Sequence, residues 1–178
     1  MALLVVGYPT LEPADYRWIQ AFRADHDPQF RIVAPHVTLV FPVDEGLEDE
    51  LVAHVRQVAK SSPKVSFTLR CATIMPDLSS GGSQAAHVFL TPDEGYSALV
   101  KLHDRLYTGP LAPYLRLDIP FVPHITVGQT AERETAYRLA GELNAQAFVV
   151  TGEIARLTVI RFHNGLVSNL VELPLLGR

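Results

Sequence analysis

Apolar and polar positions alternate along the chain in two rhythms, one of strands and one of helices. Leu3 to Val6 is a short, unbroken apolar run that predicts a strand. Pro13 opens a helix, at a position where its missing N–H costs nothing, and Trp18, Ile19 and Phe22 form the stripe expected to be buried. Ala34 to Phe41 is β-branched and apolar around one His and one Thr, and predicts a strand. Leu47, Leu51, Val55 and Val58 recur at helical spacing over Leu47 to Ala59, and carboxylates crowd the start of that segment, where they favour the positive end of the helix dipole. Val65 to Met75 and Ala86 to Thr91 read as strands, separated by a polar, Gly-rich loop from Asp77 to Gln84 that is expected to be mobile and is a candidate lid. A helix is expected from Asp93, with Tyr96, Leu99, Val100, His103 and Tyr107 on one face. Thr108 to Pro123 carries four of the 13 prolines and predicts an irregular connector. Ile125 to Val127 reads as a strand and Glu132 to Leu143 as a helix. Two strands, Ile154 to Phe162 and Leu166 to Leu173, close the chain around a turn at Asn164-Gly165.

This order is not that of a doubly wound parallel sheet, because each half ends in two strands with no helix between them. It predicts an α+β protein with mostly antiparallel pairing. The halves also follow one plan. Pro35-His-Val-Thr38 and Pro123-His-Ile-Thr126 each begin a strand, a helix follows each, and Arg70 and Arg156 lie in the strand after it. The histidines lie 88 positions apart and the arginines 86, a slip of two residues over a whole strand-helix-strand unit. Copies of one plan usually associate about a local two-fold, which would set the two Pro-His-x-Thr strands face to face.

Composition narrows the function. The 178 residues are enough for one domain or two small lobes on a shared core; 48% are hydrophobic and 19% charged, which excludes a disordered chain. No apolar run reaches the roughly 20 residues that span a bilayer, and Met1 to Val6 lacks the basic region and cleavage site of a leader. A cytoplasmic protein without a membrane partner is the expectation, and a monomer. The formal charge is −4, and the 15 Lys and Arg are scattered with no two adjacent, which argues against gripping duplex DNA. A small anion or a single nucleic-acid end stays open. One cysteine, Cys71, excludes an internal disulfide and a multi-thiolate metal site.

Of seven histidines, only His36 and His124 follow a proline and precede Thr by two. In a strand, side chains alternate between faces, so His36 shares a face with Thr38 and His124 with Thr126, while Val37, Leu39, Ile125 and Val127 point into a core. A lone His in a strand is usually structural. A duplicated packing motif, however, gives no reason to match a His and a Thr on its polar face. Two imidazoles and two hydroxyls make a cradle for a tetrahedral anion, with the hydroxyls donating to non-bridging phosphate oxygens. Near neutrality one imidazole can take a proton from an attacking oxygen while the other gives one to a leaving oxygen, which cleaves a phosphodiester without a metal.

Pro-His-Val-Thr-Leu39 and Pro-His-Ile-Thr-Val127 resemble the paired HxTx motifs of the 2H phosphoesterase superfamily, in particular the bacterial 2′-5′ RNA ligase-like (LigT-like) proteins, over essentially the whole chain. The resemblance implies a bilobal, pseudo-two-fold α+β fold around a central cleft, with residues 1–178 forming one domain and motif-bearing repeats at about 34–92 and 122–175. It implies hydrolysis of a 2′,3′-cyclic phosphate on a small nucleotide or an RNA 3′ terminus, giving a 2′-phosphomonoester, with no cofactor and no metal. By position, His36 and His124 are the acid–base pair and Thr38 and Thr126 bind the phosphate. Family members commonly carry a basic residue just after the second motif. Here Gly128 and Gln129 stand there, which weighs against long-RNA binding and ligation.

Two other readings compete. The cleft could hold a nucleotide or RNA end without turning it over, or the two histidines could bind a divalent metal. The second suffers from the absence of a carboxylate in either motif. Arg161 and His163 share a face of a late strand and read as a solvated edge. His103-Asp104 lacks companion ligands and His103 falls on an apolar helical face, so it reads as structural. His26, His54 and His87 carry no signal, and Cys71 is expected to be buried and inert.

Overall fold

The computed structural model describes residues 1–77 and 84–177, so residues 78–83 of the expected mobile loop and lid lie outside the described residues. The chain runs β1 (Ala2–Gly7), β2 (Thr10–Leu11), α1 (Pro13–His26), β3 (Val37–Asp44), α2 (Glu48–Ser61), β4 (Val65–Pro76), β5 (Ala86–Glu94), α3 (Tyr96–Leu106), β6 (Ile125–Thr130), α4 (Arg133–Ala145), β7 (Val150–Ile154), β8 (Arg156–His163) and β9 (Leu166–Pro174). A 3-10 turn at Gly109–Tyr114 begins the proline-rich connector. The fold is α+β, and every strand pair is antiparallel.

Two sheets divide the strands, in the orders β3-β1-β8-β9 and β2-β7-β4-β5-β6. Helices α2 and α3 pack on the first sheet, and α1 and α4 on the second. Leu3 and Val5 of β1, Leu39 of β3, Leu51 and Val55 of α2, Val88 and Leu90 of β5, and Leu139 of α4 belong to one continuous core. Each such fully buried aliphatic side chain contributes about 1.5–3 kcal/mol relative to exposure. β3 and β6, which begin the two Pro-His-x-Thr strands, are the outermost strands of their sheets. An outermost strand leaves backbone groups without a ladder partner, and α3 covers those of β3: the Tyr107 hydroxyl accepts from the Phe41 N–H at 2.9 Å, and His103 Nδ1 donates to the Leu39 carbonyl at 2.9 Å. His103 is 3% exposed and stacks on Phe121 with ring centroids 3.7 Å apart, so it is a structural histidine.

Three local expectations are corrected. The run Ile154 to Phe162 is not one strand: β7 ends at Ile154 in the second sheet and β8 begins at Arg156 in the first, with Ala155 alone between them. The crossing is made at Ala155, and neither Ile154 nor Arg156 beside it is a turn-forming residue. The helix expected from Asp93 begins at Tyr96, after Gly95 (φ +80°), because Asp93 and Glu94 extend β5 and both bind the Arg70 guanidinium. In α1 the fully buried pair is Ile19 and Arg23, with Trp18 and Phe22 half-buried beside the core. The expected turn holds: Asn164 (φ 49°) and Gly165 (φ 75°) both take the left-handed conformation of a type I′ hairpin.

Arg23 is the least expected core residue, at 1% exposure. It donates to Asp27 at 2.7 Å, to the Gln20 side chain at 2.8 Å and to the Val33 carbonyl at 2.8 Å, while Asp27 also accepts from the Gln29 N–H. This clamp ties the end of α1 to the segment that delivers Pro35 and His36. Removing one partner of a buried pair strands the other charge, so Arg23→Ala is expected to cost about 3–5 kcal/mol in urea unfolding. A loss below about 1 kcal/mol, the value of an exposed ion pair, would refute the clamp.

Candidate active site

Both motifs sit at the mouths of outermost strands. His36 immediately precedes β3 and His124 immediately precedes β6, each after a buried proline. Val37 and Leu39, and Ile125 and Val127, are 3%, 0%, 0% and 1% exposed, whereas His36, Thr38, His124 and Thr126 between them remain partly open. The apolar members anchor the strand and the polar members are left on its other face. All four polar residues line a single cavity of about 430 Å³.

The imidazoles are held alike. His36 Nδ1 donates to the Ala34 carbonyl at 2.8 Å, and His124 Nδ1 donates to the Val122 carbonyl at 2.6 Å. A carbonyl only accepts, so the Nδ1 of each ring carries the hydrogen, and Nε2 is the nitrogen left for a ligand, an acceptor when the ring is neutral and a donor when it is charged. The ring environments differ. Tyr8 meets His36 edge-on at 6.1 Å, whereas Phe89 lies flat against His124 at 3.5 Å with an 11° interplanar angle. Burial pulls both imidazoles below the ordinary histidine range. His124 is pushed down to about 4, its burial reinforced by His36 and His87 and opposed by the Val122 hydrogen bond. For His36 burial again dominates, opposed by the Ala34 hydrogen bond, with Arg23 lowering and Asp27 raising it.

The rest of the cavity is two-sided. Phe41, Pro42, Ile119, Pro120 and Val122 make an apolar wall, and Asp77 and His87 make a polar end. His87 carries no signal in the sequence, yet it stacks on the far side of Phe89 at 5.7 Å, so His87, Phe89 and His124 form a column of rings. The trace available in sequence was the i, i+2 spacing of His87 and Phe89 on one strand face, which becomes informative only once β5 is known to neighbour β6. Gln129, just after the second motif, donates to Asp77 at 3.2 Å.

The remaining histidines and candidates lie elsewhere. Arg161 pairs with Glu48, and His163 is exposed near the hairpin turn. His54 binds the Leu106 carbonyl and His26 packs on Phe22. Cys71 is only partly buried, with Sγ 3.1 Å from the Thr91 hydroxyl. Among the described residues no group of three or more His, Cys, Asp or Glu is disposed to hold a metal ion, and no helix is long and apolar enough to cross a membrane.

Known proteins are similar to this chain in sequence and in fold. A Bacillus licheniformis protein with the provisional name phosphoesterase is 30% identical over 128 residues, covering 70% of this chain and 69% of its own. LigT of E. coli, in its apo form, superposes with a TM-score of 0.55 at 22% identity over 98% of this chain and 96% of its own. A protein of Thermus thermophilus gives a TM-score of 0.62 at 17% identity over 99% of each chain. The model of the 2′-5′ RNA ligase superfamily matches residues 11–166, so the chain belongs to that superfamily of 2H phosphoesterases.

Proposed function

We propose that this protein is a phosphodiesterase that opens 2′,3′-cyclic phosphates on nucleotides or RNA 3′ ends, with His36 and His124 as its acid–base pair and Thr38 and Thr126 binding the phosphate. One observation carries the reading: two imidazoles, each fixed through Nδ1 to the carbonyl two residues earlier, line one cavity with two threonine hydroxyls. A neutral imidazole takes a proton from water as the water oxygen bonds to phosphorus. The ring P–O bond breaks, and the other imidazole, protonated, gives its proton to the departing ribose oxygen. The product is a phosphomonoester, and exchange of the proton with solvent resets the pair. Thr38 and Thr126 can donate to the non-bridging oxygens, whose negative charge in turn favours one imidazolium. The apolar wall suits a nucleobase. LigT of E. coli has been solved with 3′-AMP, with ATP and with NADP+, which supports a nucleotide as the occupant of a cleft of this type. In this chain the reading needs no metal and no cofactor, and a monomer suffices because both motifs come from one polypeptide.

With nucleoside 2′,3′-cyclic phosphates as substrates, His36→Ala and His124→Ala are each expected to lower kcat by about 10²–10⁴-fold, with the thermal unfolding profile retained and EDTA without effect. Turnover that survives the double substitution would overturn the reading. Ligand binding without turnover over the whole panel would mark a binding module instead.

The pH dependence follows from the downward shift of both rings. A bell-shaped kcat/KM needs one ring neutral and one charged in the free enzyme. With both below the ordinary value of about 6.5, the maximum falls below pH 6.5 whichever ring is the acid. The kcat profile extends to higher pH, because bound phosphate stabilises the imidazolium. A kcat/KM that rises between pH 6.5 and 8 would contradict this.

Phe89 is a positioning residue in the same scheme, acting through the ring it covers. Phe89→Ala admits water to His124, so the midpoint of the His124 imidazole in an NMR titration should climb from about 4 toward 6.5, and the acid limb of kcat/KM should follow it. An unchanged midpoint would remove Phe89 from the scheme.

A further inference from the structure

The proposed reaction leaves one end of the cleft unused. Asp77, at the end of β4, has a side chain only 9% exposed, with one carboxylate oxygen 3.8 Å from His87 Nε2 and the other accepting from the Gln129 amide at 3.2 Å. Three strands bring this group together: His87 of β5 pairs in register with Gln129 of β6 on one side and with Met75 of β4 on the other. Asp77 and His87 line the same cavity as the two motif histidines. His87 Nδ1 is buried and has no hydrogen-bond partner among the described residues, so the cluster holds an unused polar atom beside its carboxylate.

The charge pattern gives this end its chemistry. Among the described residues, the ionisable side chains lining the cleft are His36, His87, His124 and Asp77, with no guanidinium or ammonium group. His36 and His124 are committed to the scissile phosphate. A second phosphate at the Asp77 end would meet a carboxylate, and like charges brought together discriminate strongly against the wrong partner. A hydroxyl or an exocyclic amine carries no charge to be repelled, and a carboxylate oxygen can accept from it alongside its other partners.

Resting on the cyclic phosphodiesterase reading, we infer that the Asp77–His87–Gln129 end of the cleft is a specificity subsite that takes an uncharged hydrogen-bond donor of the substrate and turns away a second phosphate. The substrate is then a compound with a single phosphate, the one being opened, rather than an oligonucleotide or a nucleotide phosphorylated at both ends.

Calorimetric titration of the whole chain with adenosine 2′-phosphate and with adenosine 2′,5′-bisphosphate tests this at one ionic strength. Hydrolysis of adenosine 2′,3′-cyclic phosphate is measured alongside, with and without a 5′-phosphate. The single-phosphate ligand is expected to bind about tenfold more tightly. Asp77→Asn, which removes the charge, and Gln129→Lys, which adds a cation from the neighbouring strand, should each shrink that ratio by about threefold or more. Equal or tighter binding of the bisphosphate by the unmodified protein overturns the subsite, as does a ratio that neither variant moves, or failure of both ligands to bind. Turnover with a flat ratio removes the subsite and leaves the enzyme. The expected ratio without turnover of any cyclic phosphate keeps the subsite and removes the enzyme.

Discussion

An imidazole presents one defined nitrogen to a ligand when the other is held by a group that stays put. Here that group is the carbonyl two residues earlier in the chain, at both His36 and His124. The bond is local, so it forms as soon as the Pro-His segment takes its course into the strand, and it determines which nitrogen bears the hydrogen. Everything further out keeps that segment in place. Buried Pro35 and Pro123 precede the rings, and Val37, Leu39, Ile125 and Val127 nail the strands to the core. Arg23 and Asp27 clamp the segment leading into the first ring, and Tyr107 and His103 secure the backbone just after it.

The cleft that results differs from most anion sites in where its positive charge comes from. Arginine and lysine are charged at any physiological pH, whereas imidazoles become charged when an anion makes it favourable. Burial pulls the two motif rings toward their neutral forms, so these two rings bring little positive charge before an anion binds. In the proposed reaction, the cleft's attraction for phosphate develops with binding. Such a site selects on fit and contact rather than on long-range steering, in keeping with the negative formal charge of the chain.

Much of this was legible in the sequence, and the reason differs from element to element. The His-x-Thr alternation gave the strand face directly, since a period of two leaves no freedom once Val37, Leu39, Ile125 and Val127 are taken as core. The Asn164-Gly165 pair announced its turn because few other residues tolerate two successive positive φ values. What stayed hidden depends on neighbours far away in the chain. His87, Phe89 and Asp77 gain meaning only because β5 lies between β4 and β6. Arg23 looks like a solvated helix residue until Val33 folds back over it. Asn144 of α4 is a polar residue near a helix end by sequence; in space it binds both the N–H and the carbonyl of Ala72, at 2.6 and 2.9 Å, where β4 runs beyond its pairing with β7. None of these has a periodicity to betray it.

The passage of the chain from one sheet to the other at Ala155 has a consequence for how the molecule assembles. The sheet that carries His36 is completed by β8 and β9 from the second half, and the sheet that carries His124 is built on β4 from the first half. Neither half of the polypeptide can therefore close its own sheet and wait for the other. Pairings that join opposite ends of a sequence demand costly loop closure before they return any stabilisation, which slows folding and makes it all-or-none. A nascent chain of this topology acquires no partial competence on the ribosome: until the β8–β9 hairpin emerges and docks, it owns the parts of a cleft but not the cleft.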